Sequence, residues 1–207
     1  DSDLIVIALS GISGFFPVLN CIKQGRKIAL ANKESLVACG DLLIEISKTT
    51  RSEIIPLDSE HSAIWQCIKN EEDKYVKSIV ITASGGSLRD MPIKELSSVT
   101  PEIVLNHPTW NMGDKITVDS ATLINKVFEV KEAANLFDIP LEDIEVIFHD
   151  ESIIHGMANM VDGNSLALLS EPNMRIPILY ALFYPKRVMS KNCLLYTSPS
   201  PRDLYHS

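Results

Sequence analysis

Positive charge is scarce in this chain: 19 Lys and Arg stand against 27 Asp and Glu over 207 residues, a net charge of -8. That balance argues against nucleic acid as the main partner, because a phosphate backbone attracts basic faces. Cysteine is also sparse. Cys21, Cys39, Cys67 and Cys193 stand apart, so no pair has zinc-ligand spacing and nothing implies disulfides. Long hydrophobic runs are missing. The apolar stretch from Leu4 to Leu19 contains Ser10, Ser13 and Pro17, lacks a basic leader and is too short to span a bilayer. The expectation is a cytoplasmic protein with no membrane partner. No internal repeat is evident, and the length suffices to bury a core and to hold one or two domains.

Apolar, β-branched runs and amphipathic stretches alternate through the first part. They predict strands over 4–8, 27–31, 53–56, 78–83, 143–148 and 165–169, and helices over 14–24, 33–48, 59–70, 121–137 and 175–183. Such alternation gives an α/β sheet with helices on its faces, and from about Ile79 the pattern becomes α+β. The boundary falls near Ile54 to Asp58, at a junction of the kind where ligand pockets form. The acidic run Glu71-Glu72-Asp73 reads as an exposed loop.

Two acidic segments carry the chemistry. Asp58 and Glu60 are two residues apart, so in an extended segment they leave the same side of the backbone. Asn125 and Glu129 are four apart, one turn along a helix face. Together these segments offer three hard oxygen ligands, a set suited to Mg²⁺ or Mn²⁺. Taken singly, Asp58 also fits a turn or helix cap, and Glu129 a solvated helix position. Between them, Ile79 to Ser87 reads as a strand opening into Ser84-Gly85-Gly86, either a phosphate-binding turn or a plain loop. Asn106 to Gly113 has poor helix or strand character and reads as a lid or as a surface loop pinned by Trp110.

Joined in order with Ala31-Asn32-Lys33-Glu34-Ser35, Val118-Asp119-Ser120-Ala121-Thr122 and Glu171-Pro172-Asn173-Met174-Arg175, these segments resemble the 1-deoxy-D-xylulose 5-phosphate reductoisomerase family from about Asp3 to Met189. The resemblance implies the C-terminal part of a Rossmann-like NADPH-binding sheet (1–56) followed by an α+β catalytic domain (57–192). It implies Asp58, Glu60 and Glu129 as ligands of Mn²⁺ or Mg²⁺, with Glu60, Lys126 and Glu129 closest to the chemistry. Ser59, Asn125 and Lys126 would hold substrate oxygens, while Ser84, His107, Ser120, Asn125 and Ser152 would surround its phosphate. Lys33 would contact substrate and Trp110 would cover it. Asn32, Glu34, Gly113 and Met174 would meet the nicotinamide cofactor. The implied reaction turns 1-deoxy-D-xylulose 5-phosphate into 2-C-methyl-D-erythritol 4-phosphate, a carbon–carbon rearrangement followed by hydride reduction from NADPH, in a full-length homodimer. Glu60 or His61 could act as general acid or base by type, whereas His149 and His155 read as core or supporting groups. A non-catalytic fragment that binds metal and sugar phosphate, and a metal-dependent aldolase, are the alternatives.

Several positions depart from the family pattern. Val127-Phe128 stands in place of Gly-Leu, Ala83 in place of a glycine, and Asp150-Glu151 in place of Pro-Gln, adding negative charge near the inferred phosphate pocket. Gly11-Ile12-Ser13-Gly14 is a turn after a late strand. The glycine-rich pyrophosphate loop would precede residue 1, so weak cofactor affinity is expected. From Cys193 to Asp203 the sequence resembles the translation of a transposase mosaic-end adapter, and 193–207 reads as a non-native tail.

Overall fold

The computed structural model describes residues 2–189; the tail reading at 193–207 lies outside them. Three short strands, β1 (Ile5–Ile7), β2 (Ile28–Leu30) and β3 (Ile54–Pro56), form a parallel sheet in that order. Helices α1 (Phe15–Lys23) and α2 (Lys33–Thr50) make the crossovers. Ile7, Val18, Ile22, Ile28, Leu30, Leu36 and Leu43 close the core between them.

A second sheet follows, built from β4 (Val76–Ala83), β5 (Ile144–Phe148), β6 (Ile154–Met160) and β7 (Ser165–Leu169) in the order β5-β4-β6-β7. The pairing is parallel between β4 and β5 and antiparallel elsewhere. Helices α3 (Ser59–Ile68) and α6 (Ile124–Phe137) contribute Ile64 and Ala133 to its core, against Ile79, Ile81, Ala158 and Met160. The short helices α4 (Pro101–Leu105) and α5 (Asp114–Ala121) lie in the long β4–β5 connection. The last described helix, α7 (Arg175–Phe183), returns to the first sheet, where Ala181 packs with Ala29, Ile55 and Leu57.

Two expectations need correction. The helix predicted over 121–137 is α6 and begins only at Ile124, because Leu123 takes a left-handed backbone (φ 61) that separates it from α5, a helix not anticipated. Strand β6 was not anticipated: Gly156 interrupts it, and its residues alternate irregularly between buried and half-buried. The glycine is needed there, since a Cβ would sit 3.0 Å from the Glu60 carbonyl and 2.9 Å from Ile64.

Candidate active site

Asp58 and Glu60 do not lie in an extended segment. Asp58 is the N-cap of α3, its carboxylate accepting from the Glu60 backbone N–H at 3.3 Å, and Glu60 occupies the first turn. Both face α6, where Asn125 Nδ2 donates to Glu129 Oε1 one turn on. Carboxylate oxygens of Asp58, Glu60 and Glu129 come within 4.8 Å of one another.

Two lysines stand among them. Lys33, at the start of α2, has its Nζ 2.9 Å from Asp58 Oδ2, 3.1 Å from Glu129 Oε1 and 2.8 Å from Asn125 Oδ1. Lys126 Nζ donates to Glu60 Oε1 at 2.8 Å, to the Thr82 carbonyl at 2.6 Å and to Glu129 Oε2. Burial opposes charge on both ammonium groups. The surrounding carboxylates, Asp58 foremost for Lys33 and Glu129 for Lys126, nonetheless hold both above the ordinary lysine range. Asp58 moves the other way: burial would raise it, yet Lys33 and His61 keep it well below the usual carboxylate range. Glu60 is pushed up to about 7, by burial first and then by Glu129. Three crowded hard-oxygen donors with this mutual repulsion fit a small divalent cation.

His61 is fully buried behind the cluster. Its Nδ1 lies 3.2 Å from Asp58 Oδ1, and its Nε2 lies 3.0 Å from the Glu129 carbonyl and 3.7 Å from Glu132 Oε2. Burial alone would lower its pKa; Glu132 and Asp58 raise it to about 9. Glu132 was not singled out from the sequence, although its place three residues after Glu129 puts it on the same helix face.

A cavity of about 160 Å³ opens over the cluster, lined among others by Ser59, Ser84, His107, Trp110, Ser120, Ser152 and Met174, together with Asp58, Glu60, Asn125, Lys126 and Glu129. His107 Nδ1 accepts from the backbone N–H groups of Thr109 (3.1 Å) and Trp110 (2.9 Å), which leaves its proton on Nε2, 3.1 Å from Ser84 Oγ. Burial and the nearby Arg89 lower its pKa, keeping the ring a neutral donor. The Trp110 ring meets His155 edge-on at 6.1 Å. Ser152 sits in a left-handed turn (φ 53). The added acids of that turn are paired at the rim: Asp150 Oδ1 lies 3.7 Å from Arg89 Nη1, and Glu151 Oε2 lies 3.3 Å from His149 Nδ1.

A second cavity, of about 400 Å³, is lined by Lys33, Glu34 and Gly113, and shares Ile116 and Asn125 with the first. Asn32 enters neither. Its amide donates to the Leu9 (2.7 Å) and Gly11 (2.8 Å) carbonyls, and its Oδ1 caps α2 through Ser35 N at 3.2 Å. Met174, grouped with the cofactor residues from the sequence, lines the first cavity.

A three-stranded Rossmann-like sheet running into a mixed sheet, with a carboxylate and lysine cluster where they meet, defines a two-part α/β protein with a metal-type centre. A model of the 1-deoxy-D-xylulose 5-phosphate reductoisomerase C-terminal domain matches residues 54–137, and a second model of 1-deoxy-D-xylulose 5-phosphate reductoisomerase matches residues 1–40. The chain belongs to this family. It is 51% identical over 187 residues to the 1-deoxy-D-xylulose 5-phosphate reductoisomerase of Caldanaerobacter subterraneus subsp. tengcongensis, covering 90% of this chain and 49% of that protein. The Desulforamulus reducens enzyme is 52% identical over 184 residues, 89% of this chain and 48% of that protein. A crystal structure of DOX-P reductoisomerase in complex with NADPH, fosmidomycin and magnesium superposes with a TM-score of 0.89 at 40% identity, covering 96% of this chain and 52% of that one. The Zymomonas mobilis enzyme in complex with NADPH gives 0.84 at 42% identity, covering 92% and 49%. The chain thus spans about half the length of the relatives it matches.

Proposed function

We propose that this chain carries the metal- and substrate-binding half of an NADPH-dependent 1-deoxy-D-xylulose 5-phosphate reductoisomerase. In this reading residues 1–56 are part of the cofactor domain and 57–192 the catalytic domain. The observation that carries it is the convergence of Asp58, Glu60 and Glu129 in the lining of a cavity that Ser84, His107, Ser120 and Ser152 also line. That arrangement suits a ligand with vicinal oxygens at one end and a phosphate at the other.

Asp58, Glu60 and Glu129 would hold Mg²⁺ or Mn²⁺. The cation would act as a Lewis acid for negative charge developing on the oxygens of an α-hydroxyketone, and NADPH would supply hydride. Lys126 and Asn125 stand where they would bind those oxygens, with Ser59 beside Glu60 and Lys33 completing the positive wall. The neutral His107, donating from Nε2, and the hydroxyls of Ser84, Ser120 and Ser152 would fix the phosphate and so orient the reacting end. Trp110 would exclude water from above. Glu34 and Gly113 would meet the cofactor in the adjoining cavity, and Met174 would pack near its nicotinamide; Asn32 would serve the cofactor only by shaping the start of α2.

The full-length protein is read as a homodimer, a proposal supported by the exposed apolar side chains Val146, Ile147 and Phe148 on the sheet-edge strand β5. A cytoplasmic location belongs to the same reading; among the described residues no helix is long and apolar enough to cross a membrane.

Calorimetric titration of fosmidomycin with and without Mn²⁺ tests the proposal. Binding should require Mn²⁺ and disappear in Glu60→Gln. Metal-independent binding, or none in a folded sample, would sink it.

A further inference from the structure

Glu132 takes no part in the reaction proposed above, yet it is among the most deeply buried charged side chains, at 2% exposure. Its Oε2 has no hydrogen-bond partner among the described residues and points at His61 Nε2 from 3.7 Å. An orphaned carboxylate oxygen in a closed interior is costly, so its retention calls for a reason. His61 offers one. Its Nδ1 engages Asp58 Oδ1 and its Nε2 engages the Glu129 main-chain carbonyl, so one ring links the start of α3 to the middle of α6. With Oδ1 occupied by His61 and by the Glu60 N–H, the other oxygen of Asp58 is the one turned toward Lys33 and the cluster.

We infer that Glu132 is a positioning residue for the metal centre: it holds the His61 ring in the plane that joins Asp58 to Glu129. The inference rests on the proposed cation site and extends it. Asp58 Oδ1 and the Glu129 carbonyl only accept, so each ring nitrogen presents an N–H, and Glu132 is the carboxylate placed against the Nε2 side. Phe137 stacks on the ring at 6.1 Å and limits its tilt; within the plane the bonds to Asp58 and Glu129 set the ring, and Glu132 stands against its Nε2 edge as the third neighbour that keeps it there. Partners that orient a ligand's support are commonly as consequential for metal affinity as the ligands themselves.

The test is Mn²⁺ affinity, read by electron paramagnetic resonance in wild-type chain and in Glu132→Gln, with urea denaturation run separately. The amide keeps the volume but turns a donor or a weaker acceptor toward Nε2. Mn²⁺ affinity should fall by about 10- to 100-fold, while the folded fraction at the titration temperature stays that of wild type. A purely structural role would lower the urea midpoint and leave the Mn²⁺ affinity of the folded protein unchanged, and that result would overturn the inference. Should the Gln variant fail to fold, Glu132→Asp, which keeps the charge but draws it away from the ring, decides between the same two outcomes. Failure of wild-type chain to bind Mn²⁺ would overturn the metal centre and this inference together, whereas unaltered affinity in the variants would overturn the inference alone.

Discussion

Lys33 sits with 10% of its side chain exposed between two carboxylates that would otherwise repel each other. Removing one member of a buried charged group leaves the rest uncompensated, so Lys33→Met should lower stability by about 3 kcal/mol in urea denaturation. Mn²⁺ should restore part of that loss, because a cation held by Asp58 and Glu129 would neutralise the same charges; a variant insensitive to Mn²⁺ would contradict the proposed ligands. His155 gives a pH prediction. Burial lowers its pKa from the ordinary 6.5, so the native ring binds protons less readily than the unfolded one. Stability tied to the neutral ring is present above the unfolded value and is lost as pH falls below it. Thermal melts from about pH 7 to about pH 5 should therefore show a smaller loss in His155→Gln than in wild type. Among the residues of the site, Asp58, Glu60 and Glu129 stood out in the sequence as candidate hard-oxygen ligands, but the extended segment read for Asp58 and Glu60 is the cap and first turn of α3, and Lys33 came only with the family resemblance. Glu132 escaped notice because a helical glutamate is usually solvated, and only the packing of α6 against α3 buries this one.

Helix α2 shows how an element delivers a residue. At Cys39 its backbone leaves the helical region (φ -143), and the Leu36 carbonyl accepts from Asn135 Nδ2 of α6 at 2.8 Å. Beside it, a Cβ on Gly40 would lie 2.1 Å from that same amide nitrogen. The close approach of α2 and α6 at this point brings Lys33 within reach of Glu129. Gly40→Ala should therefore destabilise by about 1–3 kcal/mol through overpacking. In a double-mutant cycle with Asn135→Ala the combined loss should be smaller than the sum, since the second change removes the obstructing amide; strict additivity would refute the contact. Most strands and the helices α1, α2, α3, α6 and α7 were readable from apolar periodicity. The departures had local causes: α5 is rich in β-branched residues and has no side-chain cap, and the left-handed Leu123 is invisible to periodicity.

Across the whole molecule, the chain's last described helix ties the two sheets together. Trp65 of α3 meets Tyr180 at 5.9 Å and Tyr184 at 4.8 Å, Lys69 Nζ lies 4.3 Å from the Tyr184 ring centre, and Lys27, beside β2, approaches the same ring at 4.6 Å. Trp65→Ala should cost on the order of 2–3 kcal/mol, below the range for a fully buried tryptophan because this ring is only partly covered. The loss should appear in both sheets, so amide exchange at β2 and at β4 should accelerate together. Acceleration confined to one sheet would show that the aromatic cluster does not couple them. This cluster was not legible in the sequence, where the tyrosines lie more than a hundred residues from the lysines and the tryptophan they meet.

Gly156 has a consequence for synthesis. The turn that presents Asp58 and Glu60 rests on a strand made long after it, since Gly156 of β6 passes so close beneath the Glu60 carbonyl that a Cβ there would lie 3.0 Å from its oxygen. A ribosome adding about 5 to 20 residues per second would leave that turn without its floor for roughly 5 to 20 s. During this interval α3 has no β6 beneath it, and the first sheet still lacks Ala181 of α7 over Ala29, Ile55 and Leu57. The seating of Asp58 and Glu60 would thus be finished only after the strands and helix that lie C-terminal to them had been made.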